Sequence, residues 1–468
     1  MMRLCITGLI FFLFVQVSGQ KKQLLYNVDE LPQTLMSNPG ASINFDGHIG
    51  IPFFSQFSFS AGSSGVSVHD IFDASNSNIK DRVYNTIKRL TKQDYFTARL
   101  QLEILSLGWR LNKDHYLSAG IYQEIDLFAY FPKDPATLVN EGNFSYINIP
   151  FDFSHVSFTG EALVVYHIGL NKKLDRQWTV GGRVKLYSGI FNVESVNNRG
   201  MFITRRTPEG PNYYSHHVES MDIRINTSGY SSISGDSENV QEGTTEILKR
   251  SFFGGNIGAG IDIGATYVIN EDFIATGSVQ DIGFVLQQQD VENYLYYGTY
   301  STSGIEPLFP EVGTNGQTIR YWDIFEDEVD MHLIDETLHE KYVTWRPFKL
   351  NTSIEYGFGQ SFAPCDYRKP VNRRHTDLVG FQFHGIKRPR GMKYALSAYY
   401  DKKFSSRLRM KIAYTLDDFS YTNVGLLVSN QFKFFNIYLA ADNLLGYFNL
   451  AKTQSMSLQF GMQIIIQK

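Results

Sequence analysis

Large apolar residues occupy every even position from Met456 to Ile466, and five of the six odd positions from Ser455 to Ile465 are Ser, Gln or Gly. A period of two is a strand with one apolar and one polar face. The same alternation recurs upstream. Phe96, Ala98, Leu100, Leu102 and Ile104 oppose Thr97, Arg99, Gln101 and Glu103. Trp178, Val180, Val184 and Leu186 oppose Arg183, Lys185 and Tyr187. Ile257, Ala259, Ile261, Ile263, Ala265 and Tyr267 oppose Asn256, Gly258, Gly260, Asp262, Gly264 and Thr266. Turn-forming runs at Asn112–Asp114, Asn171–Arg176 and Asn270–Asp272 fold these segments into three hairpins, 94–131, 156–196 and 257–288. A strand over Ile43–Ser60, bent near Pro52, precedes them. Seven more follow Arg346-Pro347, at 348–359, 377–386, 392–404, 407–416, 421–430, 434–442 and the final stretch. The count is about fourteen.

The connections sort into two kinds. Segments 61–93, 132–154, 195–255 and 289–345 are long, and the three hairpin turns are short. They alternate along the chain, so long loops gather at one end and short turns at the other. An even strand count with this asymmetry predicts an all-β protein, a transmembrane antiparallel up-and-down barrel over 43–468, with long extracellular loops and both termini periplasmic. Gln360–Thr376 is the exception, long on the short-turn side. A helix is predicted near Asn78–Lys92. Short strands are predicted at 201–206 and 218–226, and a helix in the acidic run Asp323–Glu340. The final strand is expected to close the ring on Ile43–Ser60, its even face on lipid.

Charge sharpens the picture. Arg99, Glu103, Glu124, Asp126, Arg183, Lys185, Glu355, Lys393, Arg407, Arg409 and Lys411 lie on polar faces. A charge facing lipid costs up to about 2–4 kcal/mol at mid-bilayer, so these are predicted to face the lumen. Their mixed signs predict paired networks rather than a pore of one sign.

Met1-Met2-Arg3, the apolar run Leu4–Val17 and Ser18-Gly19 read as a signal peptide over 1–19. Cleavage there would remove Cys5 and leave Cys365 alone, which rules out a disulfide scaffold. Residues 20–42 carry the turn Asn38-Pro39-Gly40 and form a segment of their own ahead of the first strand. No later apolar run reaches the roughly 20 residues that a membrane helix needs. The 28 Tyr, 36 Phe and 39 Gly suit aromatic girdles and close strand packing. A net charge of −4 points to no nucleic acid partner.

The N-terminal leader, Asn38-Pro39, the stretch Gly181–Gly189, Gln280–Phe284 and Ala440–Leu444 together resemble a Bacteroidota outer-membrane β-barrel family of unknown function. More distantly the chain resembles the FadL-type fourteen-stranded transporter superfamily. That group includes the hydrocarbon channels and the shuttle barrel of type IX secretion. Those relatives usually carry Asn-Pro-Ala where this chain has Asn38-Pro39-Gly40. The resemblance implies that the segment before the first strand plugs the lumen. It implies outer-membrane lipid and the barrel-insertion machinery as partners, with other envelope-complex subunits as further ones.

Enzyme chemistry finds no support. The chain holds no phosphate-binding Gly loop, no His-Glu-x-x-His and no paired CxxC. His216-His217 lacks a third ligand, and the acidic run reads as a solvated loop. His155 and His167 have no triad spacing to a serine. No catalytic residue, metal or cofactor is expected. Two functions remain: uptake of a small hydrophobic molecule through a plugged barrel, or a non-transporting scaffold in an envelope secretion or assembly complex. For the second, the basic stretch Arg368, Lys369, Arg373, Arg374 and His375 is the docking candidate.

Overall fold

The computed structural model describes residues 23–73, 78–208, 213–234, 240–303, 331–359 and 375–467. Fourteen antiparallel strands close into a barrel. They are β1 (Gly47–Gly50 and Phe57–Ser63), β2 (Tyr95–Arg110), β3 (His115–Tyr130), β4 (Phe158–Lys173), β5 (Trp178–Ser195), β6 (Asn256–Val268) and β7 (Phe273–Gln287). Then come β8 (Tyr342–Trp345 and Lys349–Phe358), β9 (Asp377–Arg388), β10 (Gly391–Lys403), β11 (Leu408–Leu416), β12 (Asn423–Phe432), β13 (Phe435–Asp442) and β14 (Ser455–Ile466). Each strand pairs with its neighbours in chain order. The ring shuts where Gly47 meets Ile466 and Phe57 meets Phe460. Closure leaves no unpaired edge, which a bilayer demands of any sheet that crosses it.

β1 is two pieces rather than one. Pro52 has no N–H to give the ladder, and Phe53 takes a positive φ of 64°. The strand bulges between Ile51 and Gln56, then resumes its pairing with β14 four residues out of the earlier register, an even shift that keeps the same face inward. Residues 43–46, predicted as strand, belong instead to the run leading in from the N-terminus.

In β14 Ser455, Ser457, Gln459, Gly461 and Gln463 are buried, while the even positions Met456, Leu458, Phe460, Met462, Ile464 and Ile466 look outward. The other strands repeat this inversion: polar residues inside, apolar residues outside. Ile168, Val184, Ile261, Phe381 and Leu439 are among the exposed apolar side chains of the outer wall. Such a belt is the surface of a membrane-spanning barrel.

The long loops gather at one end. Helix Ile79–Arg89 is capped by Asn78, whose side chain accepts from the Lys80 N–H at 3.1 Å. Strands Arg199–Arg206, Tyr214–Ser228, Val291–Thr302 and Leu333–Leu338 form a second sheet above the loop end, continuous with β5 through Asn192–Ser195. The helix predicted over the acidic run is corrected in its last part: Met331 and His332 are helical, but Leu333–Leu338 is a strand paired with Val291–Thr302. Its backbone finds partners on a ready sheet edge, and Asp335 and Glu336 suit an edge strand because charge resists further pairing. Residues 323–330 lie outside the described residues.

Replacing Phe460 with Arg puts a charge on the lipid face of the closing strand. Stability should fall by up to about 2–4 kcal/mol if the site is near mid-bilayer. Loss of the heat-modifiable folded band after refolding into liposomes would report it.

Candidate functional site

The lumen is filled from one side by the chain's own N-terminal segment. Leu24, Leu25, Val28 and Leu31 pack against Tyr399, Ala413, Leu427, Tyr438 and Ala440 of β10 to β13. Leu35, Ala41 and Phe45 pack on Tyr116 and Ile465. Met36 reaches the cluster of Tyr122, Leu163, Val165, Tyr187 and Val285. Each buried Leu contributes about 1.5–3 kcal/mol, so the segment is held as a plug with a core of its own.

The plug is seated by Asn38-Pro39-Gly40. The Asn38 carboxamide oxygen accepts from the Gly40 N–H at 2.9 Å, closing a tight turn. Asn171 donates to the Pro39 carbonyl at 2.8 Å and to the Ala41 carbonyl at 2.9 Å. Thr266 donates to the Gly40 carbonyl at 2.8 Å. The turn lies flush on the wall where Gly181 of β5 pairs with Gly264 of β6. A Cβ at Gly181 would overlap the Pro39 carbonyl, and one at Gly264 would overlap the Asn38 side chain. Gly40 meets the wall as closely, against the Gly264 carbonyl. Glycine is required by close approach here.

Polar locks complete the seat. Arg409 forks onto Asp401 at 2.8 and 2.7 Å and also pairs with Asp29 of the plug. Lys403 pairs with Glu30 at 2.7 Å. Lys411 donates to the Tyr26 carbonyl at 2.7 Å and stands over the Tyr399 ring, whose hydroxyl donates to Glu355 at 2.6 Å. Arg183 donates to the Leu35 carbonyl.

Beyond the plug, toward the loop end, the lumen carries a continuous belt of ion pairs. Arg183 pairs with Asp262 at 3.2 Å, and Lys185 bridges Asp262 at 2.9 Å and Asp281 at 2.5 Å. Lys349 joins Asp281 at 2.5 Å to Glu124 at 3.4 Å. Arg99 bonds Asp126 through Nε at 3.0 Å, and Arg388 bonds the same carboxylate at 2.9 Å. Arg346 lies 3.4 Å from Glu124 and pairs with Glu161.

The sequence-predicted residues therefore divide. Arg99, Glu124, Asp126, Arg183 and Lys185 stand in the belt. Glu355, Arg409 and Lys411 hold the plug, and Glu103 is buried in the lumen wall. Lys393 sits near the loop end, 3.0 Å from Asp418 and over the Tyr95 ring. Arg407 is a correction. It is exposed in the short turn before β11, where Ser405 accepts the Arg407 and Leu408 N–H groups and starts the strand one residue later. Asp281 was missed because Gln280 and Asp281 both turn inward at a bulge, Asp281 with φ of 58°, which breaks the alternation. Arg346 was missed because Pro347 marked a strand boundary in the pattern.

The wall is notched between β8 and β9. The outer piece of β8, Tyr342–Trp345, pairs with β7, while pairing with β9 begins only at Lys349 opposite Ile386. The last bond across is Lys387 N–H to the Phe348 carbonyl, at 3.0 Å. Pro347 and Pro389 flank this point, and neither has an N–H to extend the ladder. A cavity of about 720 Å³ occupies the break and runs inward to Glu161 of β4 and Asn192 of β5. Ile282, Val343, Trp345 and Phe348 line its apolar part; Asp126, Arg346 and Arg388 line its charged part. The volume is that of an ordinary small-molecule pocket.

Above the break, Arg390 ties two loops across the barrel mouth. Its guanidinium donates to the carbonyls of Lys92 at 2.7 Å, Ser154 at 2.9 Å and His155 at 3.0 Å, and it lies over the Tyr130 ring. Burial holds the His155 imidazole below its usual pKa, against the opposing pull of Asp134 at 3.5 Å. His216 bonds Thr204 and Asn143, each at 3.0 Å, and His217 bonds Ser215 at 2.8 Å. Among the described residues no group of three His, Cys, Asp or Glu is placed to hold a metal ion. Arg368, Lys369, Arg373, Arg374 and Cys365 lie outside the described residues; His375 pairs with Asp272 at 3.1 Å.

A protein-family profile described as a family of unknown function, DUF5723, matches residues 39–442. No curated protein matches the sequence. Similar solved structures include the Ralstonia pickettii toluene transporter TbuX, at 12% identity, 94% of this chain, 95% of that chain and a TM-score of 0.40. A Pseudomonas aeruginosa FadL homologue is similar at 9% identity, 94% of each chain and a TM-score of 0.40. The Pseudomonas putida toluene transporter TodX is similar at 10% identity, 96% and 98% coverage and a TM-score of 0.38.

Two substitutions test the seat. Gly181→Leu should lift the plug; a Ser37→Cys reporter, buried in the parent, should then react with a water-soluble maleimide. Arg409→Met leaves Asp29 and Asp401 without their shared cation and should cost about 3–5 kcal/mol. A lowered urea midpoint at unchanged slope would show it, and adding Asp401→Asn should recover part of the loss.

Proposed function

The chain belongs to this family of unknown function, and from its geometry we propose that it is an outer-membrane barrel that takes up a small hydrophobic molecule. The observation that carries the reading is the break between β8 and β9. An apolar solute leaving lipid or the loop face meets Trp345, Val343 and Phe348 first, in a cavity large enough to hold it. The route then reaches the ion-pair belt and the plug. Charges there are already matched to one another, so the belt offers no single-sign field to draw an ion through. By the rule for such barrels the long loops are extracellular and the short turns periplasmic. Residues 1–19, as a signal peptide, would direct export.

In this reading the wall opening selects by apolarity and size, and the plug sets whether the cavity communicates with the periplasm. The carboxylates and cations below the cavity disfavour a ligand that brings an unpaired charge, because burying one is costly without a partner.

The test closes the break covalently. A bifunctional methanethiosulfonate reagent bridges Val343→Cys and Pro389→Cys, with Cys365→Ser, across it. Accumulation of small radiolabelled apolar compounds by a Gram-negative host carrying the protein should fall after the reagent and return with reductant. Equal accumulation in the cross-linked, the reduced and the empty-vector cells would reject uptake.

A further inference from the structure

One loop segment doubles back onto the outside of the barrel. Helix Val240–Lys249 leads into the turn Arg250–Gly254, immediately before β6. In β5 the side chains of Arg183, Lys185 and Tyr187 face the lumen, so Val184, Leu186 and Ser188 face outward. Val184 and Leu186 are exposed as a lipid face should be, yet Ser188 is fully buried, and so is its partner Val164 on β4. The turn covers them. Ser188 donates to the Arg250 carbonyl and accepts from the Phe253 N–H at 2.9 Å. The Tyr166 hydroxyl, also on the outer face, donates to the Ser251 carbonyl at 2.9 Å. The Tyr166 and Phe253 rings stack with centroids 4.6 Å apart.

The covering turn is itself apolar outward. Phe252 is 68% exposed and Leu248 is 56% exposed. Phe253 stacks on Tyr166, which pairs with Leu186 of the lipid-facing belt, and Ile257 of that belt pairs with the covered Ser188. Height supports the same assignment. Ser188 lies ten residues beyond Trp178 at the turn end. At about 3.3 Å per residue and a tilt of about 40°, that is roughly 25 Å, the height of the apolar band of such a barrel. The turn therefore sits where acyl chains give way to headgroups. Beneath it Arg250 is buried, paired with Glu246 at 3.0 Å and Asp290 at 3.3 Å, which fastens the turn to the loop-end sheet.

We propose that Leu248 and Phe252 are a membrane anchor, immersed in the acyl chains of the leaflet at the loop end. The occupant of this apolar surface is lipid, because the surface continues the belt that lipid already covers. Through Arg250 the anchor fixes the loop-end sheet relative to the bilayer surface.

The test uses the full chain with Cys5 and Cys365 replaced by Ser. A nitrobenzoxadiazole dye is placed on Phe252→Cys, and, as references, on Ile168→Cys in the belt and Ser301→Cys in the loop-end sheet. The refolded proteins are compared in phosphatidylcholine vesicles doped with lipid bearing a nitroxide near the headgroup. The anchor predicts blue-shifted emission at position 252 and loss of intensity to the lipid nitroxide, as at 168 and unlike 301. Emission at 252 quenched by aqueous iodide as at 301 would overturn it. So would blue-shifted emission that the lipid nitroxide does not quench, the signature of a second copy or another protein on this surface. Retained heat-modifiable mobility in each variant separates these outcomes from misfolding.

Discussion

A charge in this barrel has nowhere to go except to another charge. The outer wall faces lipid, where an ionised side chain is expensive. The lumen is filled on one side by the plug and narrowed on the other by loops, so bulk water cannot solvate it freely. Every ionised group of the belt must then find its opposite within a few ångströms, as Lys185 does with Asp262 and Asp281 and Lys349 with Asp281 and Glu124. Buried pairs add little net stability over an apolar filling, but losing one partner is severe. The belt thus acts as a specification: it permits one registration of β3, β5, β6, β7 and β8, because a slip of one residue would throw these charges onto lipid.

The plug is subject to the same constraint from inside. Its carboxylates Asp29 and Glu30 are met by Arg409 and Lys403. Its backbone carbonyls are met by Lys411, Asn171 and Thr266. Apolar packing supplies the bulk of the attraction, and polar contacts decide the position. At the glycine seat the wall has been cleared of side chains so that a backbone turn can lie against a backbone strand. A side chain at 181 would open a gap and leave the Asn171 and Thr266 donors without acceptors, so the seat is sensitive to a single methyl group.

The barrel itself was legible in the sequence because its physics is local and periodic. Alternation assigns faces, turn residues assign hairpins, and loop length assigns ends. Nearly all the charges placed on polar faces do lie inside, Arg407 being displaced by one turn of chain. What could not be read were the departures from period. Asp281 turns inward at a bulge, and Arg346 stands beside a proline that looked like an end. The cavity between β8 and β9 is lined by two prolines, Pro347 and Pro389, that are far apart in sequence and each withhold an N–H from the ladder. The last part of the acidic run, Leu333–Leu338, took a strand because an edge of the loop sheet was available, a tertiary fact that overrides helix propensity. The seat at Gly181 and Gly264 could be suspected from the glycines, but their occupant lies more than a hundred residues away in the chain.

The plug also touches the seam. Gln33 donates to the Ser55 carbonyl at 2.8 Å and to the Gln463 side chain at 2.6 Å, one partner from each side of the β1–β14 junction. The segment that fills the barrel directly precedes its first stave, and the stave that shuts the ring is its last. A ring closed empty would have to admit the plug through an end already crowded by turns. A plug docked first would present Gln33 as a template on which the two terminal staves align. In the finished molecule the filling is therefore also a clasp, one side chain holding the first stave to the last.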